Sequence, residues 1–169
     1  MATKARLVSV VFLRAGIAAG LVGAALYALY NIVGILLAIG RVTDFQMRFP
    51  DALKVYFDFV FMVAAGRHAA TKVTPSPALG FLLLTAVSLA WSLGFAFLAQ
   101  TRRELIDRPL LSGIGFGFVV WVVMLVVLAV SGFLQPPNPN RIVFAILGDV
   151  VFFGIPVAYT VARMVRMRG

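Results

Sequence analysis

The sequence predicts an all-α protein, an integral membrane four-helix bundle with one extra interfacial or re-entrant amphipathic helix in the first loop. Of its 169 residues, 62% are hydrophobic and only 12% are charged. A soluble domain is closer to half apolar and a quarter charged. Because too few polar residues remain to cover a soluble surface, we expect the apolar side chains to face lipid. The length fits a single membrane domain over residues 1–169.

Four long stretches without Lys or Arg predict the spanning helices, since each contains at least 21 residues. A helix needs about 20 residues to cross the hydrocarbon core. The stretches are continuously apolar and lack the period-2 alternation of barrel strands, so helices are predicted. The predicted helices cover residues 13–39, 77–100, 110–133 and 142–163.

The first apolar stretch follows Lys4 and Arg6, which is also the arrangement of a cleavable signal peptide. The apolar core of a signal peptide has about 7–15 residues, and residues 15–40 exceed that length. The stretch is therefore predicted to be a retained first helix.

A shorter segment, 51–66, predicts the extra helix of the first loop. Asp51, Lys54 and Asp58 fall on one face of a helix, and aromatic and aliphatic residues occupy the rest. A narrow charged stripe beside a broad apolar face is typical of a helix at the membrane interface. A re-entrant segment packed between the spans is the alternative.

Basic residues near the helix ends predict the orientation in the membrane. With four spans, the side that holds both termini carries nine Lys and Arg residues, and the opposite side carries six. The positive-inside rule then predicts a multi-pass protein of the cell inner (cytoplasmic) membrane with both termini cytoplasmic. The nine residues are Lys4, Arg6, Arg14, Arg102, Arg103, Arg108, Arg163, Arg166 and Arg168.

Small residues three or four apart predict two helix-packing faces, because they let another helix approach closely in lipid. They are Gly16, Gly20 and Gly23 in the first helix and Gly113 and Gly117 in the third. Packing within the chain and packing against another subunit are both open.

Asp149 lies inside the fourth predicted helix, about 12 Å from its start at the helical rise of 1.5 Å per residue. Carboxylates at such depth usually face the bundle interior or a wet cavity. Asn31 and Ser88 fall at similar depth, which predicts an intramembrane polar cluster of the three. Hydrogen bonding between helices and a titrating proton or cation site are the two interpretations. Pro156, in the same helix, predicts a kink.

Cofactors, metals and catalytic residues are not predicted. The chain has no cysteine and a single histidine, His68, which cannot form an ordinary structural metal site by itself. A partner chain completing a haem or pigment site with His68 is left open. Nucleic acid is not an expected partner, because the basic residues flank apolar stretches instead of forming a groove.

Four short motifs resemble a family of small uncharacterised bacterial inner-membrane four-helix proteins. The motifs are residues 15–20, 88–91, 113–117 and 153–156. The resemblance implies a cytoplasmic-membrane location and little about activity.

We expect a non-enzymatic accessory or structural subunit that packs with other membrane proteins or with itself in the lipid bilayer. The alternative is a small oligomeric transporter or proton-linked carrier that uses Asp149.

Overall fold

A computed structural model describes residues 2–42, 47–70, 72, 74–136 and 138–167, with the side chains of 2–9 and 39–42 excepted. The described residues form helices and no strand, which confirms the all-α class. In chain order the helices are α1 (Ala2–Val42), α2 (Phe49–Ala65), α3 (Arg67–Ala70), α4 (Pro77–Thr101), α5 (Glu104–Asp107), α6 (Pro109–Val130), α7 (Pro139–Leu147), a π-helical segment (Gly148–Gly154) and α8 (Ile155–Arg166).

Four helical stretches are long and apolar enough to cross a membrane, so the chain is a multi-pass membrane protein. They are Val10–Ala38, Pro77–Thr101, Pro109–Val130 and Pro139–Arg166, the last of which joins α7, the π-helical segment and α8. Arg166 donates a hydrogen bond of 2.7 Å to the carbonyl of Ile106, so the end of α8 and the turn at α5 lie at the same end of the molecule. We call this end the terminal side and the opposite end the α2 side. Arg168, which counted toward the predicted orientation, lies outside the described residues.

Two helices begin earlier than predicted. The first begins at Ala2 and its membrane-spanning part at Val10, ahead of the predicted residue 13, since an apolar run marks only the part of a helix that lies in lipid. The last span begins at Pro139, and the Asn138 side chain caps it by accepting a 3.0 Å hydrogen bond from the Asn140 N–H.

The fourth span changes its hydrogen-bonding pattern ahead of Pro156. The Ile155 N–H donates to the carbonyl of Val150, five residues earlier, at the end of the π-helical segment. A proline cannot donate the next hydrogen bond and crowds the preceding turn, and the wider π turn precedes it directly. The predicted kink at Pro156 stays a prediction.

The spans differ in which other helices they contact. α1 lies against α4 and α8, whereas in the described chain the extensive contacts of α6 are with the fourth span alone. Small side chains fill the centre: Ala15, Ala19, Ala99, Val157 and Val161 have no exposed surface. Such residues let backbones approach closely where lipid supplies no hydrophobic drive between helices.

The glycines of the two predicted packing faces all lie against other helices of the same chain. In α1, Gly16 faces Leu93, Gly20 faces Leu89 and Gly23 faces Phe153.

The glycines of α6 meet the fourth span. Gly113 lies against the backbone of Ile155, and Gly117 lies against the backbone of Asp149 and Val150. The closest approach of α6 to the fourth span is therefore between two backbones.

We expect Gly117→Ala to destabilise the protein by about 1–3 kcal/mol, the usual cost of overpacking. The new Cβ would stand 2.5 Å from the Asp149 carbonyl oxygen and 2.6 Å from the Val150 Cα, so the helices must separate. The matched control is Gly115→Ala, two residues away, where a Cβ meets nothing within 4 Å. The control should be neutral or up to about 1 kcal/mol more stable, because alanine favours helix. Equilibrium unfolding in mixed micelles measures both, and equal stabilities would contradict the packing.

Candidate functional site

Asp149 is the buried carboxyl of the membrane-spanning region, with only 3% of its surface exposed. It stands in the first turn of the π-helical segment. Glycines bring neighbouring helices onto this turn: Gly117 of α6 contacts the Asp149 backbone, and Gly148 packs against the rings of Tyr27 and Tyr30 on α1. The position of the carboxyl therefore depends on close approach from two sides.

Tyr27 of α1 lies beside this carboxyl across the helix interface, close enough for the two side chains to interact. The Tyr27 ring also packs edge-on against Phe153, with 6.2 Å between ring centroids. Asn31, one turn further along α1, donates from Nδ2 to the Tyr27 backbone carbonyl at 2.8 Å. Tyr27 is thus held by a ring contact on one side and is bonded to Asn31 at its backbone.

α2 adds a second phenol to the site. Tyr56 is 5% exposed and belongs to a core cluster with Ile32, Ala52 and Phe57. Its hydroxyl is close enough to Asp149 and Tyr27 to interact with both electrostatically. Burial, and to a smaller extent the Asp149 carboxylate, raises the pKa of Tyr56 well above its usual value. The phenol therefore stays neutral and remains available as a hydrogen-bond donor.

Two members of the predicted polar cluster, Asn31 and Asp149, have Tyr27 as a common neighbour. Asn31 donates to the Tyr27 backbone carbonyl, and the Tyr27 side chain lies beside Asp149. Ser88 is buried on α4 with 3% exposure, and in the described part of the chain no hydrogen bond joins it to the other two.

Tyr27 was not predicted from the sequence, because a tyrosine inside a span is also expected where a ring simply packs between helices. The signal that identifies it is its position four residues before Asn31, which puts both side chains on one face of α1.

A single carboxyl flanked by two phenols limits the chemistry of the site. Within the ranges that the structure describes, no three His, Cys, Asp or Glu side chains are grouped as metal ligands would be. What the arrangement offers is one carboxyl group with neighbouring phenols, which are hydrogen-bond donors.

No protein-family model, curated protein or solved structure that was compared with the chain matches it. The resemblance to small inner-membrane four-helix proteins therefore stays a prediction.

We expect Tyr27→Phe and Asp149→Asn to be energetically coupled. Interhelical hydrogen bonds in membranes average about 0.6 kcal/mol and reach about 1.7 kcal/mol, so the double-mutant cycle should give a coupling in this range. Equilibrium unfolding of the wild type, both single variants and the double variant measures it. The control is Tyr159→Phe, because Tyr159 is exposed on α8; it should be additive with Asp149→Asn. Additive effects for Tyr27 as well would mean that the bond contributes no stability.

Proposed function

We propose that this chain is a non-enzymatic protein of the bacterial inner membrane in which protonation of Asp149 accompanies movement of an ion or small solute. The observation that carries the proposal is the buried Asp149 carboxyl, which has the partly buried Tyr27 beside it. In this proposal both termini are cytoplasmic, as the nine basic residues on the terminal side favour.

The cost of burying a carboxylate supports this function. An ionisable side chain inside a membrane is expensive, and such residues commonly mark proton relays or substrate pathways. A neighbouring phenol recovers only part of that cost, whereas proton uptake removes the charge. The environment thus disfavours a carboxyl that stays permanently charged.

The π-helical segment supports the same function. Single π turns inside α-helices occur often at functional sites. Here the segment carries Asp149 at one end and meets Pro156 at the other. A change between π and α hydrogen bonding would rotate the carboxyl relative to Tyr27 and so alter its access to water.

Self-association is part of this proposal, because four spans are few for a carrier acting alone. α6 has room for a partner: of its 22 residues, only Gly113, Gly117 and Val120 are buried in the monomer.

The test is proton flux into liposomes that contain the purified protein, driven by a potassium diffusion potential and followed with an entrapped pH-sensitive dye. We expect flux above that of empty liposomes, and we expect Asp149→Asn to lower it to the empty level because an amide cannot titrate. Asp51→Asn is the control, since Asp51 is an exposed carboxyl on α2, and its flux should equal that of the wild type.

Two outcomes would contradict the carrier. One is a proton flux into liposomes with the wild-type protein that does not exceed the flux into empty liposomes. The other is a folded Asp149→Asn variant with unchanged flux.

The second candidate is an accessory subunit that packs with other membrane proteins. A specific observation favours it: Ile114, Phe118 and Val122 form an exposed stripe at i, i+4 and i+8 on α6. A photo-crosslinking residue at Phe118 should capture a discrete neighbouring protein in native membranes. The same residue at Leu82, an exposed position on α4, should capture lipid only. Identical patterns at the two positions would count against a subunit interface.

A further inference from the structure

We propose that the groove between α4 and α6 on the terminal side binds one anionic phospholipid, with its phosphate at Arg108 and an acyl chain along Gly94 and Gly115. This proposal is independent of Asp149, which lies outside the groove.

The groove is an open channel of about 610 Å³ between two helices whose backbones do not approach each other closely. Its walls contain Gly94 on α4 and Gly115 on α6, and a Cβ at either position would meet nothing within 4 Å. These two differ from the glycines of α6 that contact the fourth span, since their missing side chains leave unfilled space. The space is lined mainly by apolar groups, which suits a hydrocarbon chain.

Aromatic side chains close the inner end of the groove. Phe116 of α6 reaches across to α4, with ring centroids 4.8 Å from Phe95 and 6.1 Å from Trp91. From Arg108 at the mouth to Val119, the innermost lining residue of α6, is 11 residues, or about 16 Å along a helix. The hydrocarbon core is about 30 Å thick, so the groove is about one leaflet deep.

α2 excludes a full-length transmembrane helix as the occupant. On the α2 side, the backbone of Phe57 lies against Gly80 of α4, and the Arg67 N–H donates to the Ser131 carbonyl beyond α6 at 2.8 Å. The gap between α4 and α6 is thus bridged at that end. A partner helix that crossed the whole bilayer would meet α2, whereas an acyl chain from the leaflet of the terminal side ends before it.

The charge at the mouth favours an anionic headgroup. Arg108 lines the groove together with Glu104, and Arg102 and Arg103 lie in the same turn. Arginine pairs with phosphate through parallel N–H···O bonds.

The turn is fixed in position, because Arg166 Nη2 donates to the carbonyls of Ile106 at 2.7 Å and Asp107 at 3.3 Å. A positively charged rim of fixed shape reduces the ordering cost of binding a headgroup.

Trp91 provides the readout, because it lines the groove and Trp121 is the only other tryptophan. The Trp121→Phe protein is placed in phosphatidylcholine vesicles of two kinds. One contains a small fraction of brominated phosphatidylglycerol, and the other contains the same fraction of brominated phosphatidylcholine. Bromine quenches tryptophan on contact. We expect brominated phosphatidylglycerol to quench Trp91 with about fivefold higher apparent affinity, the preference that one arginine gives at an anionic surface.

Substitutions in the groove test whether the preference for phosphatidylglycerol arises there. Arg108→Gln should abolish the difference between the two lipids, and Gly115→Leu should do the same by filling the chain site. Ala86→Leu is the control, since it enlarges an exposed residue of α4 outside the groove, and it should keep the preference. If Gly115→Leu does not fold, Gly94→Leu fills the same space from the other wall.

Equal quenching by the two lipids in the Trp121→Phe protein would mean ordinary boundary lipid and would overturn the proposal. So would a preference that survives both Arg108→Gln and the filling variant.

Discussion

Hydrocarbon has no water to pair with a peptide group, and this constraint determines the shape of the chain. Each crossing must satisfy its own N–H and C=O groups, so every apolar stretch is helical. Even where the fourth span departs from α geometry, its backbone stays paired, as in the bond from the Ile155 N–H to the Val150 carbonyl. Lipid also removes the hydrophobic drive between helices, so contact depends on small residues. Gly117 meets the backbone of Asp149 for this reason, and the same contact helps to position the buried carboxyl.

The spans were predictable because charge is so costly in lipid that Lys and Arg mark where each crossing ends. Features that depend on hydrogen-bond geometry could not be predicted from the sequence. Asn138 and Asn140 are equally good capping residues, and Pro139 between them decides which one caps. Amino-acid composition does not distinguish a π turn from an α turn, so the π-helical segment around Asp149 could not be predicted from the sequence. Depth along each helix put Asn31, Ser88 and Asp149 at one level, but depth carries no information about rotation about the helix axis. Within the described residues, no hydrogen bond joins Ser88 to the other two.

α2 makes the two ends of the molecule different. On its own side it contributes Tyr56 to the polar site and packs against α1 and α4. On the terminal side nothing in the described chain takes the equivalent place, and α4 and α6 leave an open groove between them. The proposed proton exchange at Asp149 and the proposed lipid binding at Arg108 thus belong to opposite halves. Because α6 packs mainly on the fourth span, lipid in the groove would also support α6 from its free side.

The most direct test of this account is the number of crossings, since the polar site and the groove both require four spans. The chain has no cysteine, so single cysteines report without interference. Lys72→Cys and Arg141→Cys lie on the α2 side, and Arg103→Cys and Met167→Cys lie on the terminal side. With a membrane-impermeant maleimide on intact cells, the account predicts labelling at 72 and 141, and labelling at 103 and 167 only after permeabilisation. Labelling of 72 and 103 from the same side would contradict it.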